Sequence, residues 1–280
     1  GVIYFYNNEF TKSYQNYSQS VKIAEEIGNN DLLGKLYSNL GMIDYYQGNY
    51  PKALENYFKS LKINQDKKNE KEISTLYNYI GSVYYTQDKF NDALSYYKKN
   101  LDLTIKLKDQ ERVAESFLNI GNCLLEKAKR DGNSDSASVE LDSAMAFYDR
   151  CLEIGQQIGD KLNMAYAYNN TGEVYAFRKQ YEKAIEFYKL GLKSFEEVGE
   201  LYGIGIASNA MGGAYKNLNK NDEAIRYLQR AKNIGREQEI PELEAVASEY
   251  LAEIYYSKGK FKDDYLNYRL YHQMDSTLKR

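Results

Sequence analysis

Residues 37–60 read Tyr37-Ser38-Asn39-Leu40-Gly41, then Tyr50-Pro51-Lys52-Ala53, then Tyr57-Phe58-Lys59-Ser60, and the pattern recurs along nearly the whole chain. Gly41 reappears as Gly81, Gly121, Gly172 and Gly212, at steps of 40, 40, 51 and 40 residues. Ala53, Ala93, Ala184 and Ala224 each follow twelve residues behind, and Ala144 is delayed by the 11 residues that lengthen the odd step. Four residues further on stand Tyr57, Tyr97, Tyr148, Tyr188 and Leu228. A fixed period of this length is the mark of a repeat array.

Each copy reads as two helices. Leu33, Leu36, Tyr37, Leu40, Ile43 and Tyr46 recur at three- and four-residue steps, the spacing of one helix face. Gly48-Asn49 breaks the pattern, and Pro51 suits the first turn of a new helix because its missing N–H would be unpaired there anyway. The second helix carries Ala53, Leu54, Tyr57, Phe58 and Leu61 inward. A glycine inside a helix costs roughly 0.5–1 kcal/mol against alanine. Five at one register therefore imply a close approach of two helix axes that outweighs the cost. Asn29, Asn69, Asp109, Asp160 and Glu200 lie twelve residues before the glycines, where Asn and Asp serve as N-caps. Gly28, Gly159 and Gly199 precede three of them, where a helix end needs left-handed backbone. The fold class expected is all-α, a solenoid of stacked antiparallel helix hairpins.

A repeat array makes one continuous core from units that touch only their neighbours. The chain is thus expected to be a single array over 1–280. Residues 1–30 form a partial copy, because Gly1 stands 40 before Gly41, and Phe10 and Tyr17 match Tyr50 and Tyr57. The chain should then open inside a first helix, with 9–27 as the second, as a fragment of a longer protein or behind a residue left by a tag. Full copies follow at 31–68, 70–108, 110–158, 161–198 and 201–238. The last, 241–278, has Ala252 for the glycine and Asp264 for the alanine, as a polar capping repeat would. The third copy carries an insertion at 127–138, expected as a solvated loop with the flanking helices extended into it. Asp131-Gly132-Asn133-Ser134-Asp135, with Asp142 at the twelfth place, resembles the start of a calcium loop, but Ser136 occupies the place that needs glycine. No metal is expected there.

Net charge is −3, with 37 basic and 40 acidic residues mixed along the helices, so no nucleic-acid or anionic-membrane footprint is present. No apolar run reaches the ~18 residues of a membrane span, and no signal peptide opens the chain. Cys123 and Cys151 read as small core residues rather than a disulfide. Tyrosine is abundant, at 30 with no tryptophan. Tyr84, Tyr175, Tyr215 and Tyr255, together with the second-helix tyrosines, are expected to pack with their hydroxyls at the solvent edge.

The pattern Tyr37-x-x-Leu40-Gly41-x-x-x-Tyr45, continued by Gly48-x-Tyr50-x-x-Ala53-x-x-x-Tyr57, resembles the tetratricopeptide repeat over nearly all of the chain. The usual unit has about 34 residues. The 40-residue unit is similar to the long branch seen in kinesin light chains, in peptide-responsive bacterial regulators and in sensor regions of bacterial envelope histidine kinases and membrane-tethered transcription regulators. The terminal Tyr268-x-x-Tyr271-His272-Gln273-Met274-Asp275-Ser276 resembles a segment leading from such arrays toward a membrane helix. The resemblance implies a right-handed superhelix whose first helices line a concave groove for a peptide or partner segment. Counted from the glycine register, the groove candidates are Asn39, Met42, Tyr45 and Tyr46; Asn78, Ser82 and Tyr85; Asn119 and Asn122; Tyr166, Asn169, Asn170 and Phe177; Asn209 and Lys216. A side-chain amide both donates and accepts, so it can pair with an extended backbone of any sequence. The plainer alternative is that these amides bond neighbouring helices or face water. A carboxylate clamp for acidic peptides is incomplete here. Asn39, Asn119 and Asn170 fit, but Tyr79 interrupts them, and Thr75, Glu115, Tyr166, Ile206 and Val246 stand where bases like Lys35 would be needed.

Catalysis needs a nucleophile with its base, a metal cluster or paired carboxylates. His272 is the only histidine, no Gly-rich phosphate loop occurs, and the acidic residues are expected mostly on outward faces. No enzyme and no cofactor are expected. The leading reading is a protein- or peptide-binding sensor module of a bacterial signalling protein on the periplasmic side of the inner membrane, touching membrane only through flanking segments. The alternative is a cytoplasmic peptide-responsive regulator or scaffold.

Overall fold

The computed structural model describes residues 1–6, 9–132, 134–260, 266–269 and 271. Among these, every regular element is a helix. In chain order they are α1 (Val2–Tyr6), α2 (Phe10–Glu26), α3 (Asn30–Tyr46), α4 (Tyr50–Asp66), α5 (Glu70–Thr86), α6 (Phe90–Leu107) and α7 (Gln110–Asp131). They continue as α8 (Asp135–Ile158), α9 (Lys161–Phe177), α10 (Tyr181–Val198), α11 (Leu201–Asn217), α12 (Asn221–Glu237) and α13 (Pro241–Ser257). Odd-numbered helices are the first helices of the hairpins and even-numbered ones the second. By internal contacts the chain divides into two compact units, 1–127 and 128–280, with the division inside α7.

The caps fall where the sequence places them. Leu32 N–H donates to Asn29 Oδ1 and Asn163 N–H to Asp160 Oδ1, both at 3.1 Å, and Asn69, Asp109 and Glu200 cap their helices in the same way. Left-handed backbone is used more widely than the glycines suggest. Besides Gly28 and Gly48, it occurs at Lys68, Asp88 and Lys108 in the first unit, each with φ between 55° and 58°. Lys179, Asn219 and Glu239 repeat it in the second. At the joints other than 132–134 the following N–H bonds five residues back, as Asn49 N–H does to the Asp44 carbonyl at 2.7 Å. The chain therefore reverses about every twenty residues, whatever side chain occupies the turn.

The registered glycines lie under side chains. A Cβ at Gly41, Gly81 or Gly172 would stand 2.7, 2.6 or 2.6 Å from the ring of Tyr57, Tyr97 or Tyr188, and at Gly212 it would stand 2.5 Å from Leu228. Ala53, Ala93, Ala184 and Ala224 are wholly buried beside them. The expectation of hydroxyls at the solvent edge fails for the second-helix tyrosines. Tyr57, Tyr97, Tyr148 and Tyr188 are at most 3% exposed, and under Tyr57, Tyr97 and Tyr188 a glycine lets the ring sink between the helices. The other tyrosine row stacks instead, with Tyr84 on Tyr96 at 5.6 Å, Tyr175 on Phe187 at 5.2 Å and Tyr215 on Tyr227 at 5.6 Å between ring centres.

The insertion is mostly helix. α7 and α8 run to 22 and 24 residues, against 17 or 18 for α2–α6 and α9–α13, leaving only residues 132–134 between them. Ser134 caps α8 by accepting from Ala137 N–H, and Asp142, read as the twelfth place of a calcium loop, pairs with Arg178. Asn133 lies outside the described residues, as do Asp264 and His272 through Ser276 of the last copy. Cys123 and Cys151 are free and buried, and burial pushes each thiol up to about 12. The acidic residues are not all outward. Asp44, Glu140 and Glu244 are buried, and Glu244 answers Arg236 at 2.6 Å. No described helix is long and apolar enough to cross a membrane.

Candidate functional site

First helices touch first helices of the next hairpin within each unit, α3 with α5, α9 with α11 and α11 with α13. Their shared face carries the candidate residues, and it opens into a separate hollow in each unit.

In the first unit, a hollow of about 150 Å³ lies between α5 and α7 beside Asn100 of α6. Asn78 and Asn119 meet there: Asn119 Nδ2 donates to Asn78 Oδ1 at 3.0 Å, and Asn78 Nδ2 donates to Glu115 Oε1 at 2.9 Å. Burial holds the Glu115 carboxyl above the usual carboxylate range, against the opposing pull of the Asn78 bond and of Arg112. Arg112 Nη1 is turned onto Thr75 Oγ1 at 2.9 Å and the Lys71 carbonyl at 3.3 Å. A buried chain fixes the wall behind: Ser74 Oγ donates to Asn100 Oδ1 at 2.6 Å, and Asn100 Nδ2 to Ser116 Oγ at 2.9 Å. Elsewhere on this face Tyr45 Oη lies 3.0 Å from Thr86 Oγ1, and Tyr85 packs its ring on Phe90. Tyr46 is 60% exposed, with its ring against Phe5 and Phe10. Asn39 and Asn122 are half-buried on α3 and α7.

In the second unit, a cleft of about 340 Å³ is lined by α9, α10, α11, α13 and the end of α7. Phe177, Ala210, Gly213 and Tyr250 supply apolar wall, and Asn169 and the Lys129–Glu173 ion pair supply polar groups. Asn169 is 4% exposed. Its Nδ2 donates to Asn170 Oδ1 at 3.3 Å, and its Oδ1 has no partner among the described residues. A buried amide oxygen left without a donor costs about 1–3 kcal/mol. Two candidates take part in packing instead. Tyr166 sets its ring edge-on to Phe195 at 4.8 Å, and burial, with Glu200 beside it, pushes its hydroxyl up to about 12. Asn209 ties α11 to α13 by donating to the Leu243 carbonyl at 3.1 Å. Lys216 pairs with Glu253 and lies over the Tyr250 ring.

Sequence reasoning missed Arg112, Lys129, Glu173 and Tyr250. Lys129 sat in a segment read as loop. Glu115 was visible as an acid where a clamp would place a base.

Three tetratricopeptide-repeat family models match the chain, one over residues 1–66 and 140–197, one over 74–107 and one over 207–242. No curated protein matches it significantly by sequence. Among solved structures it is similar to BtubC (BKLC) from P. vanneervenii, at 19% identity and TM-score 0.65, over 82% of this chain and 92% of that one. It is similar to a Rap protein complexed with competence and sporulation factor, at 18% identity and TM-score 0.65, over 89% and 76%. It is also similar to the Rap conjugation gene regulator of plasmid pLS20 in complex with the Phr* peptide, at 15% identity and TM-score 0.68, over 91% and 78%. At these identities the likeness is one of fold. With those three family models together matching most of its residues, the chain belongs to the tetratricopeptide-repeat family.

Proposed function

We propose that the chain is a non-catalytic binding module that holds an extended polypeptide segment along its first helices. The observation that carries this reading is the Asn169 amide oxygen, buried and without a donor among the described residues, in a cleft of mixed polar and apolar lining. A peptide backbone N–H would supply the missing bond, and an adjacent apolar side chain would fill the space beside Phe177 and Tyr250. The Rap conjugation gene regulator of similar fold was solved in complex with the Phr* peptide, which supports a peptide as the partner class. In this reading the module is the sensor or interaction region of a bacterial signalling protein. The Rap likeness also favours a second setting, a cytoplasmic peptide-responsive regulator with the same groove.

The test is selection of binders from a random-peptide library displayed on phage, with the full chain as bait. Peptides of micromolar affinity are expected. Asn169→Ala and Phe177→Ala should each weaken them at least about tenfold, a loss of roughly 1.4 kcal/mol, with the helical circular dichroism unchanged. An empty selection, or binders indifferent to both substitutions, would remove the peptide reading.

A further inference from the structure

We propose that the hollow of the first unit is a subsite for a cation, the guanidinium or ammonium head of an arginine or lysine side chain. The starting point is a carboxylate that forms no ion pair among the described residues. Glu115 is only partly exposed, and its one hydrogen bond comes from the neutral amide of Asn78. Arg112, one turn away, would be the natural partner, but its guanidinium is spent on Thr75, the Lys71 carbonyl and the Asp109 carboxylate. Asp109 and Glu111 act on Glu115 against Arg112, two acids opposed to one base. A half-buried carboxylate in that setting gains most from a cation that enters the hollow and carries its own donors.

The hollow suits such a head group. At about 150 Å³ it admits the end of one side chain and no more. Tyr79 lines it, giving an aromatic surface near the acid, and its ring is kept in place by Tyr57 at 5.4 Å between centres. A planar guanidinium can stack on an aromatic ring while bonding a carboxylate, and an ammonium can do so as a point charge. The rigid part is the wall behind, where Ser74, Asn100 and Ser116 bond one another and have no call on the ligand. Asn78 holds one carboxylate oxygen in position and is itself held by Asn119, which gives that bridging pair of amides a positioning role. The incomplete acidic-peptide clamp then has a physical sense: at the position where a clamp would carry a base to meet a carboxylate, this chain carries the acid that meets a base.

This inference rests on the peptide reading only for the molecule that delivers the cation; the chemistry of the hollow is tested with a small probe. Nα-acetyl-L-arginine amide, the lysine analogue and the neutral isostere Nα-acetyl-L-citrulline amide would each be titrated into the ¹⁵N-labelled full chain, following the side-chain amide signals of Asn78 and Asn119. Saturable shifts at millimolar arginine amide are expected, with citrulline amide weaker by at least about tenfold. Glu115→Gln keeps an acceptor for Asn78 and should lose the arginine response by a similar factor. The citrulline comparison needs no variant, so it stands even if the substitution disturbs folding. Equal binding of arginine and citrulline amides, no response to either cation, or an unchanged response in a folded Glu115→Gln chain overturns the proposal. If arginine amide binds and the phage selection is empty, the peptide reading fails and the cation subsite stands; the reverse pattern sinks only the subsite.

Discussion

At the scale of the residue, the fold rests on one contact repeated with the chain. Gly41, Gly81, Gly172 and Gly212 have no side chain because a tyrosine ring or, at Gly212, a leucine occupies the space. Gly81→Ala makes a sharp test because two effects oppose each other. Alanine is the better helix former by roughly 0.5–1 kcal/mol. Its Cβ, however, would stand 2.6 Å from the buried Tyr97 ring, which has nowhere to go at 3% exposure. Overpacking of this kind costs about 1–3 kcal/mol, so a net loss of up to about 2.5 kcal/mol is expected in urea denaturation. A more stable variant would show that the glycine is not there for packing. The same periodicity made these residues readable in sequence, since one contact imposes one residue type in every copy. It also hid an exception. Where other hairpins stack Tyr84 on Tyr96 or Tyr215 on Tyr227, the first full hairpin has buried Asp44 accepting from Asn56 Nδ2 at 2.8 Å. Nothing in the spacing marks that swap, because a polar residue at one copy of an apolar position looks like ordinary drift.

At the scale of the element, helix length is set by the joints and by one insertion. The joints close over Lys, Asp, Asn and Glu as readily as over glycine, because the backbone bonds that end each helix compensate for the left-handed strain. That is why only part of the turns was legible from glycine alone. The insertion shows the opposite limit. Its Gly132-Asn133-Ser134 core reads as loop, but Lys127-Ala128-Lys129-Arg130 before it are good helix formers, so α7 extends into the insertion and Ser134 caps the next helix. Extension also carries Lys129 to the cleft of the second unit, where no sequence register could have placed it. Ser134→Ala removes the cap of the longest helix and should lower stability by about 0.5–2 kcal/mol. Lys106→Ala, which removes the exposed pair with Glu70, should have a much smaller effect. Urea midpoints of the two variants compare them directly, and an equal or reversed ranking would mean that the end of α8 frays without consequence. The candidate site was legible to a similar degree. Helical register put Asn78 and Asn119 on the right helices, but their bonding to each other depends on the stagger between α5 and α7, which periodicity does not encode.

At the scale of the whole molecule, the distinctive quantity is the amount of tyrosine that folding seals away. Tyr57 and Tyr97 in the first unit and Tyr188 in the second are buried with hydroxyls raised far above the ordinary value, each chiefly by burial. The consequence for pH has a definite sign. Below the unfolded tyrosine value of about 10, folded and unfolded chains both keep these protons and stability is unaffected. Above it the unfolded chain releases them while the folded chain holds them, so the folded state binds more protons and stability falls as pH rises. Each such group contributes a slope of about 1.4 kcal/mol per pH unit, and three together give roughly 4 kcal/mol per unit. Cys123 and Cys151, held up to about 12, add to the loss from a somewhat lower pH. Since domains of ordinary stability hold only about 5–15 kcal/mol, alkaline unfolding should be complete within a few pH units of 10. The expected signature is a tyrosinate absorbance that rises first for the exposed rings and then, in a second step, together with loss of helical circular dichroism. A chain whose tyrosines all titrate smoothly before any helix is lost would mean that the rings over the glycines are open to water, and the packing contact that defines the repeat would have to be abandoned.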